Sequence, residues 1–165
     1  MKSMMVRYAM YNLWANKRIA ALMLTLNTED LHRDLGGSFH TVVNTVYHIW
    51  NAESIWWQRL MMYEHIILPA EQHKGDFVSA IEEWHSVSTA FIEFCKKQLD
   101  DKAFEHQVFY LNLQQIPMKN EVWECIQHAV NHSSFHRGQL VNYLRMLGKT
   151  KIPSTDFIAY CREQR

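Results

Sequence analysis

The chain has 165 residues, 48% hydrophobic and 21% charged, which are globular proportions with enough length for one sizeable domain core. Seventeen basic side chains balance seventeen acidic ones, so no electrostatic excess draws nucleic acid or an anionic membrane. No apolar run reaches the ~18–20 residues of a membrane span. The start of the chain lacks a signal-peptide pattern, since Arg7 and Asn12 interrupt any apolar core. Three widely spaced cysteines, Cys95, Cys125 and Cys161, point to a reducing compartment, hence the cytoplasm, rather than a disulfide framework.

Five glycines and three prolines favour helices with short connections. Residues 3–26 repeat apolar side chains at three or four (Met4, Tyr8, Tyr11, Ala15, Ile19, Leu22, Leu26), which predicts a first helix. Residues 27–30 break it, and Leu31 opens a short turn. Gly36-Gly37 is the clearest loop signal, with Ser38 as candidate N-cap of a second helix over 38–63. On that helix Val42, Ile49, Ala52, Trp56 and Leu60 form a core stripe, and His48 sits at its edge. Val43, Val46, Trp50 and Trp57 widen the apolar arc, surface that meets another subunit or the first helix. Residues 69–75 connect to a third helix, capped by Asp76, ending near Leu99 and carrying Phe77, Ile81, Trp84, Val87, Phe91 and Phe94 at core spacing. Cys95 reads as a small apolar filler.

Residues 104–119 do not read as helix. Val108-Phe109-Tyr110-Leu111 favours β structure, and Ile116-Pro117 closes a short hairpin, although Gln114-Gln115 stands where a tight turn prefers glycine. Asn120 is the expected cap of the last long helix, which runs to Gly148. A short terminal helix with Phe157, Ile158 and Tyr160 follows residues 153–156. Four long amphipathic segments predict an all-α four-helix bundle, with an irregular or hairpin segment before the last long helix and a short C-terminal helix.

The last long helix carries His128, His132 and His136 at steps of four. Each step turns the azimuth by ~40°, so the three imidazoles form a slowly winding ladder on one face. Ten histidines in this length give roughly half a pair at that spacing by chance; two overlapping pairs occur. His132 and His136 lie at the margin of the core-facing stripe, where an unpaired imidazole needs a partner. His48, at the matching edge of another helix, is the choice for a third ligand. Three histidines with positions left open is the arrangement of catalytic zinc, whereas structural zinc is closed by four ligands. His132 is followed by Ser133, so the His-Glu-x-x-His pattern is absent. His128 is a candidate fourth ligand, donor or substrate contact, and His85 a weaker one. Asn44, one turn before His48, is a candidate for orienting an imidazole. Glu53 sits ~140° round the helix from His48 and so faces away from the same ion; Arg137 is its expected partner. Cys125 lies about two turns below His132, and Tyr11 and Trp14 read as core.

Four blocks together resemble the DinB/YfiT superfamily: Tyr11-Asn-Leu-Trp14-Ala-Asn16, His48-Ile-Trp-Asn-Ala52-Glu53, Asn131-His132-x3-His136-Arg-Gly-Gln139 and Thr155-Asp-Phe-Ile-x-Tyr160. They run from the first helix to the tail. The resemblance implies a four-helix bundle, often a homodimer, with a metal triad that falls on His48, His132 and His136. It implies a divalent ion, zinc or nickel. Family activities are mostly thiol-linked, including bacillithiol and mycothiol S-transferases and a thiol-dependent maleylpyruvate isomerase. The resemblance therefore implies thiol S-transferase chemistry using a low-molecular-weight thiol. The alternatives are a metal-dependent hydrolase using metal-bound hydroxide and a non-catalytic metal-binding stress-response protein. It implies a small-molecule substrate and no DNA contact.

Overall fold

The structure, a computed structural model, describes residues 1–112 and 114–164. Four long helices carry the fold: α1 (Lys2–Met23), α3 (Val42–Leu60), α5 (Phe77–Lys97) and α6 (Val122–Met146). Two short helices, α2 (Thr28–His32) and α4 (Pro69–Gln72), lie between them. A hairpin of β1 (Gln107–Leu111) and β2 (Pro117–Glu121) precedes α6, and α7 (Phe157–Glu163) follows it.

α1 packs on α5 and α6, and α3 packs on the same two, so α1 and α3 are diagonal in a four-helix bundle. Side-chain pairings fix the directions. Lys2 meets Gln98 and Asn16 meets Ser88, so α1 and α5 are antiparallel. Tyr8 meets Asn131 and Asn12 meets Arg137, so α1 and α6 are parallel. His48 meets His136 while Trp56 meets His128, so α3 and α6 are antiparallel. It follows that α3 and α5 point the same way, and the chain must climb the bundle between them. Residues 61–76 do so along α3: Gln58 hydrogen-bonds both main-chain groups of Ile67, Asn51 accepts from the Ala70 N–H, and His73 lies edge-on to Trp50. The expectation of short connections fails here, because apolar periodicity says which face is buried and nothing about which way a helix points.

Local chemistry sets the helix ends. α1 stops at Met23, earlier than the expected Leu26, although Leu26 still packs on the core. Asn27 accepts from the Asp30 N–H and caps α2, so the predicted break and turn form one short helix. α3 begins at Val42 rather than Ser38, capped by the Thr41 hydroxyl accepting from the Asn44 N–H at 3.0 Å. Gly37, at φ 74°, and His40, at φ 62°, hold the preceding loop out of helical geometry. A Cβ on Gly37 would also stand 2.9 Å from the Tyr143 hydroxyl, which donates to Gly36 O at 2.6 Å. Asp76 caps α5 as predicted. In the hairpin, Gln115 takes the left-handed conformation at φ 60° where glycine was expected. The Asn112 side chain supports that turn by accepting from the Gln114 and Ile116 N–H groups. Asn120 belongs to β2; the cap of α6 is Glu121, in a reciprocal capping box with Glu124.

Trp50 and Trp84 are fully buried at the heart of one core cluster. The wide apolar arc of α3 is covered there by its own chain: Ile19 and Met23 of α1, Leu31 of α2 and Ala70 of α4. A second cluster around Phe91, Cys95, Phe104, Cys125 and Ile126 fills the end nearer the hairpin. All three cysteines are free and buried. Among the described residues no helix is long and apolar enough to cross a membrane.

Candidate metal centre

His48 from α3 and His132 and His136 from α6 meet where these antiparallel helices touch. Their Nε2 atoms form a nearly equilateral triangle: 3.1 Å from His48 to His132, 3.1 Å from His48 to His136 and 3.2 Å from His132 to His136. Among the described residues this is the one set of three potential ligand groups close enough to hold an ion together. The size of the triangle is itself a test of fit. Its centre lies about 1.8 Å from each nitrogen, less than the ~2.0–2.1 Å of a zinc–imidazole bond. The three nitrogens are thus spaced closely enough for one ion to bond them all. Three imidazoles also give a donor set suited to a borderline divalent cation.

Burial, and then the charge a neighbouring His136 would carry, holds the pKa of His48 down to about 4. Burial and the surrounding imidazoles do the same to His132, also to about 4. Both rings are thus neutral near pH 7, the form that binds metal. His136 has its tautomer set from behind. Its Nδ1 lies 2.8 Å from Oε1 of Gln139, so Nδ1–H donates there and Nε2 keeps its lone pair for the centre. Phe39 stacks on His48 with ring centroids 4.1 Å apart and stands edge-on to His136. Phe135, exposed beside the site, stands edge-on to His136 at 4.9 Å.

The other sequence candidates fall outside the triangle. His128 is exposed, its ring 5.9 Å from His132 and 4.8 Å from Trp56. His85 is elsewhere, against Trp84. Asn44 is exposed, its main chain held by Thr41, and orients no imidazole. Gln139 has the backing role instead. It lies three residues after His136 on the same helix face, and that amide at ligand spacing was the signal. Cys125 is buried in the second core cluster. Tyr11 is buried against α7, whereas Trp14 is half-buried and donates to Glu163 at 2.9 Å.

Glu53 and Arg137 are both buried to 1% exposure, but they are joined through two asparagines rather than directly. Asn12 and Asn16 each donate an amide N–H to Glu53 Oε1, at 2.8 and 2.9 Å. Their carbonyl oxygens accept from Arg137 Nη1, both at 2.7 Å. Ser88 and Ser133 add hydroxyl donors to the carboxylate. Ser133 and Arg137 each follow a triad histidine by one residue, so the network ties the back of the ligand helix to the three other long helices.

These pKa shifts give a pH dependence with a definite sign. In the unfolded chain the imidazoles take protons near their ordinary value of 6.5; in the folded chain His48 and His132 do so only at about 4, and so does His85, through burial and then Lys17. Between those values the unfolded state binds more protons, so stability falls as pH falls through this window. The melting temperature of metal-free protein is expected to be level above about pH 7 and to drop steadily from about 6.5 towards 4. A level profile across that window would contradict the neutral-ring assignment.

A sequence model of the DinB family matches residues 1–165. The chain belongs to the DinB family. Protein DinB of Bacillus subtilis (strain 168) is 27% identical to this DinB-family chain over 159 residues, covering 91% of this chain and 89% of that protein. A crystal structure of a DinB-like protein from Bacillus cereus ATCC 10987 superposes with a TM-score of 0.59 at 18% identity, covering 85% of this chain and 89% of that one. A second, of a DinB-like protein from Bacillus subtilis, gives a TM-score of 0.64 at 14% identity, covering 90% and 97%. At these identities the two structures establish the shared fold of the DinB bundle.

Proposed function

We propose that this DinB-family chain is a metal-dependent enzyme in which His48, His132 and His136 hold one divalent ion, zinc or nickel, for thiol S-transferase chemistry. The supporting observation is the convergence of three imidazole nitrogens, from two helices, to within 3.2 Å of one another. An ion bound there would lower the pKa of a coordinating thiol and favour its thiolate. The chain's own residues do the rest. Gln139 holds the Nδ1 proton of His136, and Phe39 and Phe135 lay apolar rings against His48 and His136.

The attacking sulfur comes from a diffusible low-molecular-weight thiol, because the chain has none to offer. Burial pushes the Cys125 thiol up to about 11 and the Cys95 thiol up to about 12, and Cys161 is buried too. The incoming thiol gives its proton to solvent, its sulfur bonds to the electrophilic carbon, and the leaving group departs with the bonding electron pair. Hydrolysis has less support. The residue after His132 is Ser133, whose hydroxyl is committed to Glu53, so the usual built-in general base is missing.

The test offers metal-loaded protein a panel of bacillithiol, mycothiol, glutathione, coenzyme A and cysteine with a chlorodinitrobenzene electrophile. Conjugation that needs both metal and one of these thiols, and is lost in His136→Ala, is the expected result. Turnover of activated esters without thiol would select the hydrolase instead. Bound metal with neither reaction would leave a non-catalytic metal-binding stress-response protein. The same reading makes residues 1–165 one domain of a cytoplasmic homodimer. Exposed Met4 and Met10 on α1 and Phe157 and Ile158 on α7 provide apolar surface for the contact. Sedimentation equilibrium giving the mass of one chain would remove the dimer.

A further inference from the structure

Arg59 follows His48 by eleven residues on α3, ~16 Å further along the helix axis, and it borders a second space away from the triad. This cavity lies between the end of α3, the loop after it, the end of α5 and the hairpin, with a volume of about 1130 Å³. Common small-molecule sites run from ~300 to ~1,000 Å³, so the space is ample. Much of its wall is apolar, including Ile55, Leu60, Phe94, Val108 and Met118. Arg59 is the one lysine or arginine lining it among the described residues.

Arg59 is only 8% exposed. Its guanidinium lies over the rings of Tyr110, at 4.2 Å, and Trp56, at 4.7 Å, and Nη2 donates to the Leu111 carbonyl at 3.1 Å. These contacts fix the plane of the fork and leave part of it unused. Nε is buried with no hydrogen-bond partner, and among the described residues no carboxylate reaches ion-pair distance. Glu64 stands at the mouth, exposed, and does not pair with it. Arg137 makes the contrast, since its charge is answered by Asn12 and Asn16 with Glu53 behind them. A guanidinium cannot shed its proton near neutral pH, and a buried charge without a partner is costly. A cation met by two ring faces and one carbonyl, but by no counter-charge, beside an apolar hollow is complementary to an anion that arrives with apolar matter attached.

We infer that this cavity binds an amphipathic carboxylate, an alkyl or aryl body ending in a single carboxyl group, with Arg59 as the anion receptor. The planar fork matches the two oxygens of a carboxylate. One guanidinium without a lysine beside it suits one negative charge better than a doubly charged phosphate monoester. Exposed Met62, Tyr63, Ile66, Phe109 and Met118 rim the opening and receive the far end of the chain.

Calorimetric titration of the full chain with decanoate, against decanol as its neutral counterpart, tests this. One decanoate binds per chain, about ten-fold or more tighter than decanol, the worth of a charge-assisted hydrogen bond. Arg59→Gln removes that margin and leaves decanol binding unchanged. Ala103→Trp, which fills the cavity from its wall, weakens both ligands. His136→Ala binds decanoate as the native chain does, which separates this site from coordination of a carboxylate by the triad's ion. Equal affinity for acid and alcohol, loss of binding in His136→Ala, or no binding at all overturns the assignment. So does a dimer that buries residues 107–121, read as amide-exchange protection. If Arg59→Gln fails to fold, the decision passes to Ala103→Trp, and full decanoate affinity in that variant overturns the site.

Discussion

Replacing His136 by alanine is expected to strip the chain of its divalent ion while leaving the bundle folded. Purified without a histidine tag and dialysed against zinc or nickel, the native chain should retain about one ion, and His48→Ala, His132→Ala and His136→Ala should each retain almost none. Each variant leaves two imidazoles where a facial set of three is needed, too few to close a site. Gln139→Leu provides a graded comparison. It leaves all three ligands in place and removes only the acceptor that holds the His136 proton on Nδ1, so metal affinity should fall ~10–100-fold rather than vanish. His128→Ala and His85→Ala should retain the ion, since neither ring shares the triangle. The same series has a stability readout. Metal that binds only the folded state at about a thousand times its dissociation constant adds ~4 kcal/mol, and that increment should disappear in the three ligand variants alone. Equal metal content in native and His136→Ala protein would separate the triangle from any role in binding.

Much of the centre was legible because its two determinants are local. A step of four on a helix puts His132 and His136 on one face, and the edge of an apolar stripe says that face meets another helix. His48 occupies the corresponding edge of α3, and the structure brings the three nitrogens together. The wheel also separated Glu53 from the site by ~140°, and Glu53 does point into the bundle on the other side of α3. What was not legible depends on long-range geometry. Phe39 reaches His48 only because Gly37 and His40 take left-handed conformations that turn the loop back over the helix start. The asparagine bridge needed the directions of the helices. Asn12 and Asn16 sit one turn apart among the buried positions of α1, a polar pair on an apolar face, and what they answer is fixed only once α1 and α6 are known to run parallel. The parallel pairing of α3 and α5, and hence the long return over residues 61–76, has no periodic signature at all.

The largest stability effect is expected from Glu53. Glu53→Ala removes the only carboxylate in a buried network and leaves Arg137 as a charge in the core with its counter-charge gone. Breaking a buried pair from one side costs ~3–5 kcal/mol, a large share of the ~5–15 kcal/mol that holds a domain together. Three donors, from Asn12, Asn16 and Ser133, converge on Oε1, and Ser88 donates to Oε2 at 2.5 Å, so each loses its acceptor as well. Arg137→Met should cost less than Glu53→Ala, because the carboxylate keeps its four neutral donors. The double variant should be less damaging than the sum of the two, since no lone charge remains buried; the coupling in such a cycle is typically ~0.5–3 kcal/mol. Urea unfolding of the four proteins reads these differences directly. The network also bears on the metal, since Ser133 and Arg137 adjoin His132 and His136. A Glu53→Gln chain that stays folded should therefore bind the ion more weakly than native protein, without any change in the ligands themselves. If all four proteins unfold at the same urea concentration, the carboxylate and the guanidinium are not coupled, and the rear support of the ligand helix must come from apolar packing instead.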